Sequence, residues 1–182
     1  MATPRFKLRC LTGAMRLEGS DGQWVQLTPD GYQFPELPRV SYNGWDENWL
    51  FIAGQANFDS SPPWSFRKAS LTVPEATQIS SWFRRASAGD IKFSTPDEDG
   101  WRAPDLSFTE PTFAFGIDSR DDDSIDLLVY FHFSLESASP KIGDHPLMEL
   151  WPRFGRLTMH PTALEVAADT WERELAPYPA RS

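Results

Sequence analysis

The stretch that decides the fold is residues 49–89, WLFIAGQANFDSSPPWSFRKASLTVPEATQISSWFRRASAG. It opens with two runs rich in aromatic and aliphatic side chains, residues 49–58 and 64–71, and each run has the length of a β-strand. The first run starts apolar on both of its alternating faces, which is typical of a strand that is central or covered on both sides. The stretch therefore predicts two strands followed at once by a helix.

The helix signal at residues 72–89 is the strongest local pattern. Thr72 and Glu75 form a capping box, in which each side chain satisfies a backbone amide at the start of the helix. Pro74 suits the first turn, where its missing N–H has no intrahelical partner, and Gly89 suits the end. Apolar residues recur at helical spacing and form one stripe for the core: Ala76, Ile79, Trp82, Phe83 and Ala86.

The remaining sequence predicts more short strands and one more helix. We expect strands at residues 5–10, 15–18, 23–27, 91–93, 106–108, 112–117, 125–135, 147–151 and 156–159. Residues 28–31, TPDG, are a turn signal. Residues 162–165, TALE, repeat the capping-box pattern and predict a helix that Pro177 ends.

About ten strands with only two helices disfavour a parallel sheet, because each parallel crossover needs a connection such as a helix. The expected fold class is α+β: mainly antiparallel β-sheet, as a sandwich or a partly open barrel, with two packed α-helices. A length of 182 residues suits one domain, so residues 1–182 are expected to form a single domain.

Composition excludes several classes of protein. An aromatic content of 14% excludes a disordered chain, and the single Cys10 excludes an internal disulfide. No apolar run follows the basic N-terminal residues and none reaches the length of a membrane span, so we expect a cytoplasmic protein with no membrane partner. The net charge of −9 disfavours direct binding to nucleic acid.

The motifs of common enzymes are missing from the sequence. It contains no Walker loop, no dinucleotide fingerprint, no Gly-x-Ser-x-Gly elbow and no cysteine pair, so we expect no cofactor, no metal and no catalytic residues. The histidines are His132, His145 and His160. Asp126 shares a predicted strand face with His132, which leaves a weak alternative, a hydrolase that uses a histidine and a carboxylate.

The aspartates of residues 118–126 resemble a calcium loop only superficially. If Asp121 is position 1, position 6 is Asp126 rather than Gly and position 12 is His132 rather than Glu. A solvated loop is the better interpretation.

The negative charge is concentrated in residues 97–126, which contain ten acidic residues and two arginines. This face is either a solvated surface that aids solubility or a docking surface that steers a basic partner, and both interpretations stay open. The acidic loops bracket predicted strands, and a hairpin would bring them to one end of a sheet. The candidate partner-binding residues are Asp97, Glu98, Asp99, Asp118, Asp121, Asp122 and Asp123.

Eight tryptophans suggest a second function, a module that binds carbohydrate or another small ligand on exposed rings. Trp45, Trp64 and Trp101 lie beside predicted loops and are the candidates for such a platform. Trp49, Trp82 and Trp171 are expected in the core.

Four blocks of sequence resemble the WapI-type bacterial immunity proteins. They are NWLFIAG at 48–54 with WSFRKASLT at 64–72 and the helix after it, FTEP at 108–111 with Phe113 and Phe115, the strand at 127–135 with ESASP after it, and LAPYPAR at 175–181. The resemblance implies a non-enzymatic cytoplasmic antitoxin. Its expected partner is a basic protein, the C-terminal toxin domain of a contact-delivered polymorphic toxin, often a tRNA-cleaving nuclease.

Overall fold

The structure is a computed structural model and describes residues 13–36, 46–58, 63–132 and 153–181. In these ranges the chain forms seven strands and two helices, with a short 3-10 turn at Asp46–Asn48. The strands are β1 (Met15–Glu18), β2 (Trp24–Tyr32), β3 (Trp49–Asn57), β4 (Trp64–Thr72), β5 (Phe113–Arg120), β6 (Ile125–Phe131) and β7 (Arg153–Met159). The helices are α1 (Val73–Ala88) and α2 (Thr162–Leu175).

The strands form two antiparallel sheets. Sheet A has the order β1-β2-β3-β4, and sheet B has the order β5-β6-β7. The predicted α+β class is confirmed, and no closed barrel is present in the described part of the chain. β3 is central, as expected, but its residues alternate between buried and half-buried. The prediction that Trp49 is a core residue is wrong, because its side chain is on the half-buried outer face.

Aromatic side chains join the two sheets. The ring of Phe131 on β6 lies 4.8 Å from that of Trp64 and 6.1 Å from that of Phe66, both on β4. The ring of Phe66 can pack closely against β3 because its cross-strand partner there is Gly54, where an added Cβ would come within 2.1 Å of the ring. The core therefore lies between the inner faces of the sheets and the helices.

Helix α1 begins and ends as predicted. Thr72 is both the last residue of β4 and the N-cap of α1, the capping box with Glu75 is complete, and Gly89 closes the helix at φ 80°. Trp171 of α2 donates a buried hydrogen bond of 2.7 Å to the carbonyl of Ala76, which fixes the two helices together. Trp82 and Trp171 are buried, as expected.

Helix α2 starts beside its predicted position, but the predicted capping box of residues 162–165 does not form. Its N-cap is Pro161, which already has helical angles, so Thr162 is the first helical residue and cannot act as a cap. The Thr162 backbone N–H instead donates to Nδ1 of His160, at 3.3 Å. The His160 side chain therefore satisfies the first backbone N–H of α2.

Three strand predictions need correction. The predicted turn at 28–31 lies inside β2, where a bulge between Pro29 and Tyr32 absorbs the turn-forming residues. Residues 91–93 form no strand, and residues 106–108 form only one bridge, Leu106 to Phe115. The predicted strands at 5–10 and 147–151, and the last residues of the one at 125–135, lie outside the described residues.

Candidate partner-binding surface

The hairpin turn between β5 and β6, residues 121–124, carries three of the predicted acidic residues. Oδ1 of Asp121 accepts hydrogen bonds from the backbone N–H groups of Asp123, at 2.9 Å, and Ser124, at 2.7 Å. These two bonds hold the pKa of Asp121 below its usual value, and the bond from Asp123 has the larger effect. Asp121 thus shapes the turn, while Asp122 and Asp123 are exposed beside it.

The other acidic loop belongs to a segment that crosses the outer face of sheet B, residues 91–112, called here the crossing segment. Within it, Oδ1 of Asp97 accepts from the backbone N–H groups of Asp99 and Trp101, at 3.1 and 2.9 Å. Residues 97–99 are all exposed. Asp97 therefore forms a turn that presents Glu98 and Asp99 to solvent.

Asp118 is held in two ion pairs. Its carboxylate lies 3.1 Å from Nε of Arg102 and 2.5 Å from an Nη of Arg156, and the side chain is 24% exposed. The pair with Arg102 ties the crossing segment to β5 three residues before Asp121. Asp118 therefore holds Arg102 and Arg156 in place, and its charge is balanced within the protein.

A second aspartate fixes the crossing segment from within. Oδ1 of Asp105 accepts from the Ser94 backbone N–H at 2.8 Å, and Oδ2 accepts from that of Ile117 at 3.0 Å. Because Ser94 is in the crossing segment and Ile117 is on β5, this carboxylate joins two parts of the segment to each other and to the sheet.

A groove of about 180 Å³ lies between the crossing segment and the outer face of sheet B. The Tyr130 hydroxyl donates to the carbonyl of Arg102 at 2.8 Å. Burial raises the pKa of Tyr130, and the charges of Asp105 and Asp118 raise it further, so the hydroxyl stays protonated and remains a donor. The residues that line the groove are Gly100, Trp101, Arg102, Asp118, Leu128, Tyr130 and Arg156.

The pairing of His132 with Asp126 does not occur. The two residues are six positions apart, which places their Cα atoms roughly 20 Å apart along extended chain. Burial lowers the pKa of His132, Lys68 lowers it further, and Glu110 opposes both, so its charged neighbours are at the other end of β6. Asp126 instead accepts from Ser119 and Thr158, at 2.8 and 2.6 Å.

His160 is at the start of α2, and His145 lies outside the described residues. Within the described ranges, no three His, Cys, Asp or Glu side chains are grouped as metal ligands would be.

The three platform tryptophans have different surroundings. Trp64 packs edge-on against Phe131 in the seam between the sheets, so its ring is committed to the core. Trp101 is half-buried in the wall of the groove, and Trp45 lies outside the described residues. The prediction of a Trp64 platform is therefore not supported by its packing.

Sequence reasoning missed the residues of the groove that come from β6 and β7. Tyr130 and Arg156 are on neighbouring strands that are joined through a long stretch of chain, and no local motif marks either one. The alternation of β6 does place Leu128 and Tyr130 on one face of the strand.

The described surface carries exposed acidic side chains beside a groove lined by arginine and aromatic side chains. The fold defines an α+β protein with two antiparallel sheets and two helices. The family model of the immunity protein WapI-like family matches residues 16–179. The chain belongs to this family, which confirms the resemblance in its sequence and supports a role as an immunity protein. No curated protein and no solved structure matches the chain.

None of the helices in the described ranges is long and apolar enough to cross a membrane.

Proposed function

We propose that this protein is a non-enzymatic cytoplasmic antitoxin that binds and neutralises the C-terminal domain of a polymorphic contact-dependent toxin. We further propose that this toxin domain is a basic nuclease. The observation that carries the proposal is the match to the immunity family over residues 16–179.

The charge of the surface supports a basic partner. A nuclease must attract a phosphate backbone, so its cleft is expected to carry positive charge. The exposed carboxylates of Glu98, Asp99, Asp122 and Asp123 offer such a cleft a negative surface in place of nucleic acid. Clustered charge of this kind accelerates association and makes it sensitive to salt.

The acidic surface is tested by association kinetics with the toxin domain of the same gene cluster, inactivated by mutation. The double variant Asp122→Ser and Asp123→Ser keeps Asp121, which shapes the turn. We expect its association rate constant to fall by roughly tenfold at low salt, with a shallower salt dependence. The control variant, Glu18→Gln with Glu36→Gln, removes two exposed charges from the sheet A side of the molecule.

The antitoxin role itself is tested by co-expression. Cells that produce the active toxin domain should grow only when this protein is present, and the purified pair should form a stable complex. If the protein neither protects nor binds, the proposed function is wrong. If it protects and both double variants associate at the wild-type rate, only the acidic docking surface is wrong.

A further inference from the structure

We propose that the groove between the crossing segment and sheet B receives a carboxylate side chain of the toxin domain, with Arg156 as the main ligand of that carboxylate. This inference rests on the proposed function and specifies how the partner is recognised. It adds a second element to the surface: the acidic loops attract the partner, and the groove holds it.

The residues of the groove are those that dominate binding energy in protein interfaces. Trp, Tyr and Arg are enriched among such residues, particularly where they line a desolvated pocket. Here Trp101, Tyr130, Arg102 and Arg156 line one groove, with Leu128 as an apolar wall. The exposed acidic side chains of residues 97–99 directly precede Gly100 and Trp101 of the groove, as expected for a polar rim.

The groove is already formed in the free protein. Arg102 is only 15% exposed, because it is paired with Asp118 and its guanidinium lies over the ring of Phe93. Tyr130 is hydrogen-bonded to the backbone of Arg102 and lies against Gly116, where an added Cβ would come within 3.2 Å of its ring. A preformed site loses little conformational freedom on binding, which favours affinity.

The arrangement of charges selects a carboxylate over a cation. Two arginines and one aspartate line the groove, and both carboxylate oxygens of Asp118 already contact those arginines, so a lysine or arginine of the partner would meet a net positive charge. Arg156 is 54% exposed, and its contact with Asp118 is its one ion pair among the described residues. A guanidinium has five N–H donors, so an incoming carboxylate can bind Arg156 while Asp118 stays in place.

The variant Arg156→Ala separates this recognition from long-range attraction. The substitution makes an acidic protein more acidic, so attraction to a basic partner predicts an association rate equal to or above that of the wild type. If Arg156 binds a carboxylate of the toxin domain, its removal should make the complex dissociate at least tenfold faster. Both rates are measured by surface plasmon resonance against the inactivated toxin domain of the same gene cluster.

Arg67→Ala is the matched control. Arg67 is also an outward-facing strand arginine, 40% exposed and paired with one aspartate, Asp30, but it is on sheet A. It should leave the dissociation rate within about twofold of the wild type. Thermal melts of both variants by circular dichroism establish that each is folded at the assay temperature.

A charge reversal identifies the carboxylate. Each surface Asp and Glu of the toxin domain is replaced by Arg in turn and tested against Arg156→Glu. One of these reversals should restore affinity by at least tenfold.

The proposed role of the groove would be wrong if Arg156→Ala and Arg67→Ala dissociate at equal rates, or if no charge reversal restores affinity. Either result would leave the antitoxin role standing. Failure of the wild-type protein to bind at all would overturn the proposed function and the groove with it.

Discussion

The outer faces of the two sheets both carry arginines but use them in different ways. On sheet A, the guanidinium of Arg16 lies 4.2 Å from the ring centroid of Trp24, and that of Arg67 lies 3.9 Å from the ring centroid of Phe51. Each arginine stacks on a half-buried ring of the same face and pairs with one exposed acid. Among the described residues, these two sets of contacts share no member, so each arginine is held independently of the other.

On sheet B, the arginines connect parts of the chain that are distant in sequence. Arg102 comes from the crossing segment and Arg156 from β7, and both meet Asp118 of β5. Tyr130 beneath them is 3% exposed. The difference teaches that one aspartate shared by two arginines joins distant parts of the chain over a sheet. An arginine stacked on a ring of its own sheet makes no such connection.

The comparison is tested most severely by removing an aromatic ring from each face. Tyr130→Ala should lower the free energy of unfolding by roughly 3–5 kcal/mol, because the ring is buried and its hydroxyl holds the crossing segment. Trp24→Ala should cost about 1 kcal/mol, since its ring is only half-buried. Urea denaturation of both variants gives the two values, and similar losses would mean that the faces are equally covered.

The next test removes a carboxylate from each face. Asp118→Asn should cost about 1.5–3 kcal/mol, because it leaves two arginines without their shared partner, one of them largely buried. Asp30→Asn should cost about 0–1 kcal/mol, as is usual for an exposed pair. Chemical denaturation at low and high salt measures both, and the loss for Asp30→Asn should shrink with salt. A loss for Asp118→Asn no larger than that for Asp30→Asn would contradict the contrast.

A third test concerns Glu174, an acidic residue beside sheet A that is not held by two arginines as Asp118 is. Burial raises the pKa of Glu174 on α2 to about 7, although the Met15 backbone N–H and Arg173 act in the opposite direction. Its Oε2 has no hydrogen-bond partner in the described part of the molecule. The folded state therefore holds this proton more tightly than the unfolded state, and stability falls as the pH rises from about 4.5 to about 7.

Glu174→Gln should remove that loss. At pH 8 the variant should be more stable than the wild type by about 1 kcal/mol, a value reduced for solvent screening because the side chain is only half-buried. This corresponds to a rise in Tm of about 2–4 °C. At pH 4 the two proteins should melt together, and a constant difference at both pH values would rule out titration as the cause.

The smallest effect is expected for the stacked arginine at the edge of sheet A. Arg16→Ala should cost about 0.5–1 kcal/mol, the usual value of an exposed stack on an aromatic ring. Arg16→Lys keeps the charge and should recover only part of this loss, because an ammonium does not stack as a planar guanidinium does. Differential scanning calorimetry resolves the series. Full recovery by lysine would show that charge, rather than stacking, is responsible.

Local patterns predicted the parts of the fold that depend on neighbouring residues. Thr72 and Glu75 predicted the start of α1 because a capping box needs only four residues. Pro161 shows the limit of such patterns, since its helical angles place Thr162 inside α2 and leave that residue without its predicted capping role.

The candidate surface was predictable in part. The exposed acids of the hairpin turn are visible in the sequence as a run of aspartates. The groove is not, because Arg156 and Asp118 meet only after β7 pairs with β6. The sequence also does not distinguish Asp118, which is held by arginines, from Asp122, which is exposed.

The double role of Thr72 has a consequence for how members of this family can vary in length. Because β4 passes into α1 without a loop, an inserted or deleted residue there would move strand side chains to the opposite face and change the register of the sheet. The junction has no loop in which to absorb it, and the bulge at Ser70 of β4 already holds one extra residue opposite Leu50 and Phe51. The crossing segment lies on the surface between α1 and β5, where an added residue can bulge outward. Length differences among relatives are therefore expected near residues 95–100, and absent at Thr72.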